Sequence, residues 1–194
     1  MGAYIKRLIA LIDEADSGNT DAMIEFIMTT AVSPELSSVP LIKEKCDYYV
    51  EKLAENGNPA GFILEGDRFR TGDGVEKSIE KAVAYYYLAA NSGDTFGYEL
   101  IAQMHIEGDG LPINYDLAYE FLKKSEDANE GKMRSDSGYY FMGEVYYFGL
   151  SVPRDWEKAR EYYLKVIEVY GTGDYYWRAC ERISSISAHI LESL

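Results

Sequence analysis

Glu55-Asn56-Gly57-Asn58, then Gly72-Asp73-Gly74, then Ala82: this stretch decides the fold, because the chain repeats it. Asn91-Ser92-Gly93-Asp94 stands 36 positions further on. The same shift carries Gly72-Asp73-Gly74 onto Gly108-Asp109-Gly110 and Ala82 onto Ala118. Punctuating residues that keep one period in the mid-thirties mark a helical solenoid, whose units bury their apolar faces by stacking on their neighbours. Such stacks usually hold other proteins and seldom carry out chemistry.

The copies extend both ways. Gly138, Gly149 and Ala159 follow Gly97, Gly108 and Ala118 by 41 positions, so five residues are gained, within Asp127–Asp136. Upstream, Ala15-Asp16-Ser17-Gly18-Asn19 matches Ala54–Asn58 at a shift of 39. The extra residues there fall near Ser33–Pro40, which reads as a longer loop. Gly171-Thr172-Gly173-Asp174 opens a last, incomplete copy, and Ile183–Leu194 is expected to be a terminal helix covering the end of the stack. The reading is one repeat domain over 1–194, with units at roughly 1–56, 57–92, 93–133 and 134–172 and a cap at 173–194.

Each unit reads as two helices, A and B. Asn58 or Pro59 begins helix A, since the first turn has no use for the N–H that proline lacks. It ends near Arg70, because Gly72 permits the positive φ of a C-cap. Helix B runs from Ser78, a plausible N-cap, to Asn91. Ala82, Tyr85, Tyr86 and Ala89 recur as Ala118, Phe121, Leu122 and Ser125, then as Ala159, Tyr162, Tyr163 and Val166. A small residue followed in register by large ones means a close helix contact with aromatic packing beside it. Most of the 18 tyrosines sit at such matching positions and read chiefly as packing residues.

The pattern resembles the Sel-one-like repeat family, slightly longer relatives of the tetratricopeptide repeats. Unit one supplies Gly57, Gly61, Gly66, Phe69, Gly72, Gly74, Val75, Lys81, Ala82, Tyr85 and Tyr86. Unit two supplies Gly93, Gly97, Ala102, Gly108, Gly110, Leu111, Ala118, Phe121 and Leu122, with His105 in place of the aromatic. Unit three supplies Gly138, Gly143, Tyr146, Gly149, Val152, Lys158, Ala159, Tyr162 and Tyr163, with Ser151 in place of the second turn glycine. The resemblance covers about Ala15 to Trp177. It implies an all-α, right-handed α-solenoid of helix-turn-helix repeats with a C-terminal capping helix, acting as a non-catalytic protein-interaction module. Some secreted relatives carry a disulfide in each repeat, a pattern this chain lacks.

Composition narrows the function classes. No run of 18 or more apolar residues offers a membrane span. The first residues lack a basic region followed by a long apolar one, so they read as a first helix, and the expected compartment is the cytoplasm. The 33 acidic and 19 basic residues give a formal net charge of −14, which disfavours nucleic acid and anionic membranes. The same charge suits a basic protein or peptide partner, drawn in by long-range attraction that salt would weaken. Cys46, aligned with Ala82, reads as a small buried residue. A bridge to distant Cys180 is geometrically improbable. His105 and His189 are the only histidines, and His105 reads as packed and hydrogen-bonded in the core. There is no zinc spacing and no phosphate loop. His105-x-Glu107-x-Asp109-Gly110 lacks the ligand set of a calcium loop. No catalytic residue, cofactor or metal is expected.

Helix geometry gives a candidate binding stripe on helix A, at three, six, ten and thirteen residues past the starting position. It comprises Ala60, Ile63, Asp67 and Arg70 in unit one; Phe96, Glu99, Gln103 and Ile106 in unit two; and Ser137, Tyr140, Glu144 and Tyr147 in unit three. The resemblance puts helix A on the concave face. The stripe is the predicted partner site, carried chiefly by Ile63, Asp67, Arg70, Phe96, Glu99, Gln103, Tyr140, Glu144 and Tyr147. The alternatives are that some of these residues only pack on the next unit, that the chain is an immunity protein neutralising a toxic enzyme, and that it is an enzyme of unknown type. The sequence leaves the oligomeric state open.

Overall fold

The computed structural model describes residues 2–192, and side chains from 5 to 189. Among the described residues there are eleven α-helices and no strand. They fall in two compact units, Met1–Asp94 and Thr95–Leu194. The first holds α1 (Gly2–Asp16), α2 (Thr20–Ala31), α3 (Pro34–Ser37), α4 (Pro40–Glu55), α5 (Pro59–Thr71) and α6 (Ile79–Asn91). The second holds α7 (Phe96–Glu107), α8 (Tyr115–Ala128), α9 (Asp136–Phe148), α10 (Trp156–Tyr170) and α11 (Asp174–Glu192). Helices α5, α7 and α9 are helix A of repeats one, two and three; α6, α8 and α10 are helix B.

The turns are built alike. Gly72, Gly108 and Gly149 close helix A in the left-handed conformation, with φ of 82°, 71° and 72°. The first residue before helix B then donates its N–H back to the aromatic position of helix A. Ser78 N bonds Phe69 O at 2.8 Å, Asn114 N bonds His105 O at 3.1 Å, and Asp155 N bonds Tyr146 O at 2.9 Å. Those residues also cap helix B: the Ser78, Asn114 and Asp155 side chains accept from the N–H groups of Lys81, Leu117 and Lys158. Each such cap contributes about 1 kcal/mol. Ser151 is the irregular member, with φ of 66° where Gly74 and Gly110 have 73° and 76°. A side chain there is strained.

In the first unit each long helix packs on the next, α1 on α2, α2 on α4, α4 on α5 and α5 on α6. Leu11, Phe26, Tyr49 and Leu53 form a core in which Phe26 meets Tyr49 edge-on at 5.5 Å. The expected loop at Ser33–Pro40 contains one helical turn, α3, capped by Ser33. Cys46 is free and half-buried, 3.2 Å from Thr30 Oγ1, and burial raises its thiol pKa. In the second unit α7 pairs with α8 and α9 with α10, while α9 also touches α7, α8 and α11. Helix α11 is continuous from Asp174, so the incomplete copy and the expected cap form one helix; residues 193–194, like Met1, lie outside the described residues. Ala82, Ala118 and Ala159 are wholly buried, as the close helix contact requires. Among the described residues no helix is long and apolar enough to cross a membrane.

Candidate interaction surfaces

The helix-A stripe is divided between packing and surface. Ile63, Glu99 and Tyr140 share one position in the three repeats, and all are buried, at 9%, 2% and 5% exposure. Burial leaves these three without the exposure expected of binding residues. Ser137 is buried as well, and Ala60, Phe96 and Ile106 are half-buried.

Glu99 is engaged inside the protein. Its Oε1 accepts from Ser125 Oγ at 2.7 Å and from Arg134 N at 2.6 Å, and its Oε2 accepts from Ser135 Oγ. Gly138, on the first turn of α9, makes room: a Cβ there would lie 2.5 Å from Glu99 Oε2. The carboxylate thus pins the segment between α8 and α9, where the five extra residues lie, and sits at a helix N-terminus that favours negative charge. Burial nevertheless wins and raises the Glu99 pKa.

Asp67 and Glu144, at the next stripe position, take part in an interlock. Tyr86 Oη donates to Asp67 Oδ1 at 2.8 Å, and Tyr163 Oη donates to Glu144 Oε1 at 2.7 Å. The tyrosine rings lie across the glycines that precede those acids. A Cβ on Gly66 would meet Tyr86 Cε1 at 2.4 Å, and one on Gly143 would meet Tyr163 Cε1 at 2.3 Å. Repeat two replaces all three members with Ala102, Leu122 and Gln103. The smaller leucine leaves space for the alanine methyl, and without a phenol no acid is needed. Arg70 approaches Asp67 at 3.4 Å, while Arg182 of α11 forks onto Glu144 at 2.7 and 3.0 Å and lies over Tyr147. Gln103 donates to Glu107 and to Tyr175. Asp67, Arg70, Gln103, Glu144 and Tyr147 all remain partly exposed.

An aromatic stack recurs in every repeat, buried in repeats two and three and half-exposed in repeat one. Phe69–Tyr85, His105–Phe121 and Tyr146–Tyr162 lie nearly parallel, with centroids 5.6, 6.2 and 5.7 Å apart. His105 Nδ1–H also donates to Pro112 O at 3.0 Å, so the histidine is packed and hydrogen-bonded as expected. In the first unit this stack opens into a cleft of about 500 Å³ between α4, α5 and α6. Phe62, Phe69, Tyr85 and Leu88 wall it, exposed Glu51 and Glu55 rim it, and the largely buried Glu65 and Arg68 line it as well. Arg68 bonds Glu65 at 2.7 Å and has Glu51 at 3.6 Å and Asp47 at 3.8 Å. Burial outweighs Arg68 and raises the Glu65 pKa. The expected stripe omits this cleft. Its sequence signal is Glu44, Asp47, Glu51 and Glu55, whose spacing puts four acids on one side of α4.

Among the described residues no group of three His, Cys, Asp or Glu side chains is placed to hold a metal.

Three segments, 66–94, 97–130 and 136–168, match the Sel1 repeat model. No curated protein matches the chain. Similar solved structures include c5321, a protective antigen of uropathogenic Escherichia coli strains that displays an SLR fold. It is 26% identical over 83% of this chain and 33% of its own length, with a TM-score of 0.60. A Sel1 repeat protein from Oxalobacter formigenes is 22% identical over 84% of this chain and 63% of its own, with a TM-score of 0.65. A putative Sel1 repeat protein from Klebsiella pneumoniae subsp. pneumoniae is 19% identical over 96% of this chain and 86% of its own, with a TM-score of 0.56. The chain thus spans a third of the first protein and under two thirds of the second. The latter two likenesses concern the fold alone. Sel1 repeat proteins are generally protein-interaction modules, and their solenoid is typically non-catalytic. With three matched segments on three helix pairs that share one turn geometry, the chain belongs to the Sel1 repeat family.

Proposed function

We propose that the protein is a non-catalytic interaction module that holds a basic protein or peptide, with the cleft between α4, α5 and α6 as its principal working surface. The observation that carries this reading is the cleft's make-up: aromatic and aliphatic walls with a carboxylate rim. Apolar walls supply contact area, and the rim supplies charge complementarity. The net charge of −14 speeds encounter with a basic partner and makes it salt-dependent.

A helix-A contribution is the second reading. It rests on Asp67, Arg70, Gln103, Glu144 and Tyr147, which keep partial exposure while hydrogen bonds and ring contacts fix their directions. Pre-set side chains lose less freedom on binding.

The test is a pull-down from source lysate at low and moderate salt. Glu51→Lys/Glu55→Lys probes the cleft, and Gln103→Lys/Tyr147→Lys probes helix A. The expected result is a basic protein that salt sheds and the cleft variant loses. Loss only with the helix-A variant would move the working surface there. No capture at either salt would overturn the interaction reading.

A further inference from the structure

The three repeats differ at one position beside the aromatic stack. In repeats two and three, a lysine three residues after the helix-B ring lies over that ring. Lys124 Nζ is 5.0 Å from the Phe121 centroid, and Lys165 Nζ is 4.8 Å from Tyr162 and 5.5 Å from Tyr139. Repeat one has Leu88 in that place, half-exposed at the edge of the cleft. Its other lysine is retained: Lys81 Nζ sits 4.8 Å from the Phe69 ring, as Lys158 Nζ sits 4.7 Å from Tyr146. Repeat one therefore has the rings but lacks one of the resident cations.

It has carboxylates where the others do not. Glu65 corresponds to Ile101 and Met142. Glu51 of α4 corresponds to Tyr87 and Lys123 in the later helix-B segments. Both acids face the cleft, and Arg68 is already held between them and Asp47. Ring faces attract cations, and more strongly where water is partly excluded.

We propose that this cleft receives a lysine or arginine side chain of a basic partner protein, in the place that Lys124 and Lys165 take in the other repeats. The proposal rests on the interaction reading above and names the chemistry the partner must present. A neutral apolar side chain would meet the rings but bring no further positive charge to carboxylates that share only Arg68 and Lys52 with Asp47.

The experiment is an NMR titration of the isotope-labelled full chain with N-acetyl-lysine amide, N-acetyl-arginine amide and N-acetyl-norleucine amide. The cationic probes should shift the amide signals of Phe62, Phe69, Tyr85 and Leu88, and norleucine should not. Leu88→Lys, which installs the chain's own cation, should weaken their binding by about tenfold or more. Glu51→Gln/Glu55→Gln should weaken it as well, which keeps the proposal testable if the lysine variant misfolds. Equal shifts with norleucine, shifts scattered over the acidic surface, or undiminished binding by both variants would overturn the proposal. If the probes leave the cleft untouched while the pull-down still captures a basic protein, the cleft proposal fails and the interaction reading stands. If neither binds, both fail.

Discussion

Repeat two is built differently from repeats one and three, and it differs at coupled positions. Where they carry Ile63 and Tyr140, it buries Glu99; where they lock glycine, tyrosine and acid together, it has Ala102, Leu122 and Gln103. The two departures have different causes. Glu99 serves the irregular segment after α8, whose Arg134 N–H and Ser135 hydroxyl it accepts. The alanine–leucine–glutamine set is an exchange of volume and polarity that leaves the backbone repeat intact. The period is thus enforced by turns and small residues, while the contents of each repeat vary in matched groups.

The comparison can be broken most forcefully at Glu99. Glu99→Ala should cost about 3 kcal/mol, since it strands three donors around a void. Glu99→Gln, which keeps an acceptor, should cost under about 1 kcal/mol in urea unfolding near neutral pH. The sign with pH follows from the raised pKa. A carboxyl whose folded value lies above its unfolded one contributes stability at low pH and loses it as pH rises through the folded value. The wild-type advantage over Glu99→Gln should therefore shrink as pH rises above the ordinary carboxylate range. An advantage that grows would show that the donors, and not burial, dominate.

The interlock comes next. In Gly143→Ala the added methyl runs into the Tyr163 ring, an overpacking cost of up to about 3 kcal/mol. Better helix propensity returns about 1 kcal/mol, leaving a net loss of about 2. Adding Tyr163→Leu, as in repeat two, should recover part of that loss, and a double-mutant cycle would measure the coupling. Strict additivity would mean that the ring and the glycine are unrelated.

Ser151→Gly, giving repeat three the turn residue of the other two, should stabilise by about 0.5–1 kcal/mol once the cost of a freer unfolded chain is counted. The smallest effect is expected from Leu88→Lys, within about 0.5 kcal/mol by thermal unfolding, because the site is open and two repeats already carry lysine there.

Much of the frame was legible in the sequence. Asn58, Ser78 and Gly72 mark helix ends by local chemistry, and they cap α5 and α6 as read. The five-residue gain falls where the α8–α9 segment departs from the repeat. The stripe was legible only as a set of residues sharing a face. Helix geometry says that Ile63, Glu99 and Tyr140 occupy one position, but whether that position is covered depends on packing between helices far apart in sequence. Glu99 looked like surface because an acid usually is; its donors, Ser125 and Ser135, lie 26 and 36 residues away. The cleft escaped for the opposite reason. Its rings are the repeat's own packing residues, and what sets repeat one apart is a scattered set, Leu88 for a lysine and the acids Glu51 and Glu65, that no single motif displays.

The phenol–carboxylate pairs give the molecule an optical voice. Tyr86, Tyr162 and Tyr163 are held far above the usual phenol range by burial and by Asp67, Glu126 and Glu144, and burial lifts Tyr140 to about 12. In alkali these rings should stay dark in the phenolate band until the helix pair around them parts. Replacing Tyr86 or Tyr163 one at a time would then tell which repeat opens first, read from the ultraviolet absorbance of the chain itself without any attached label.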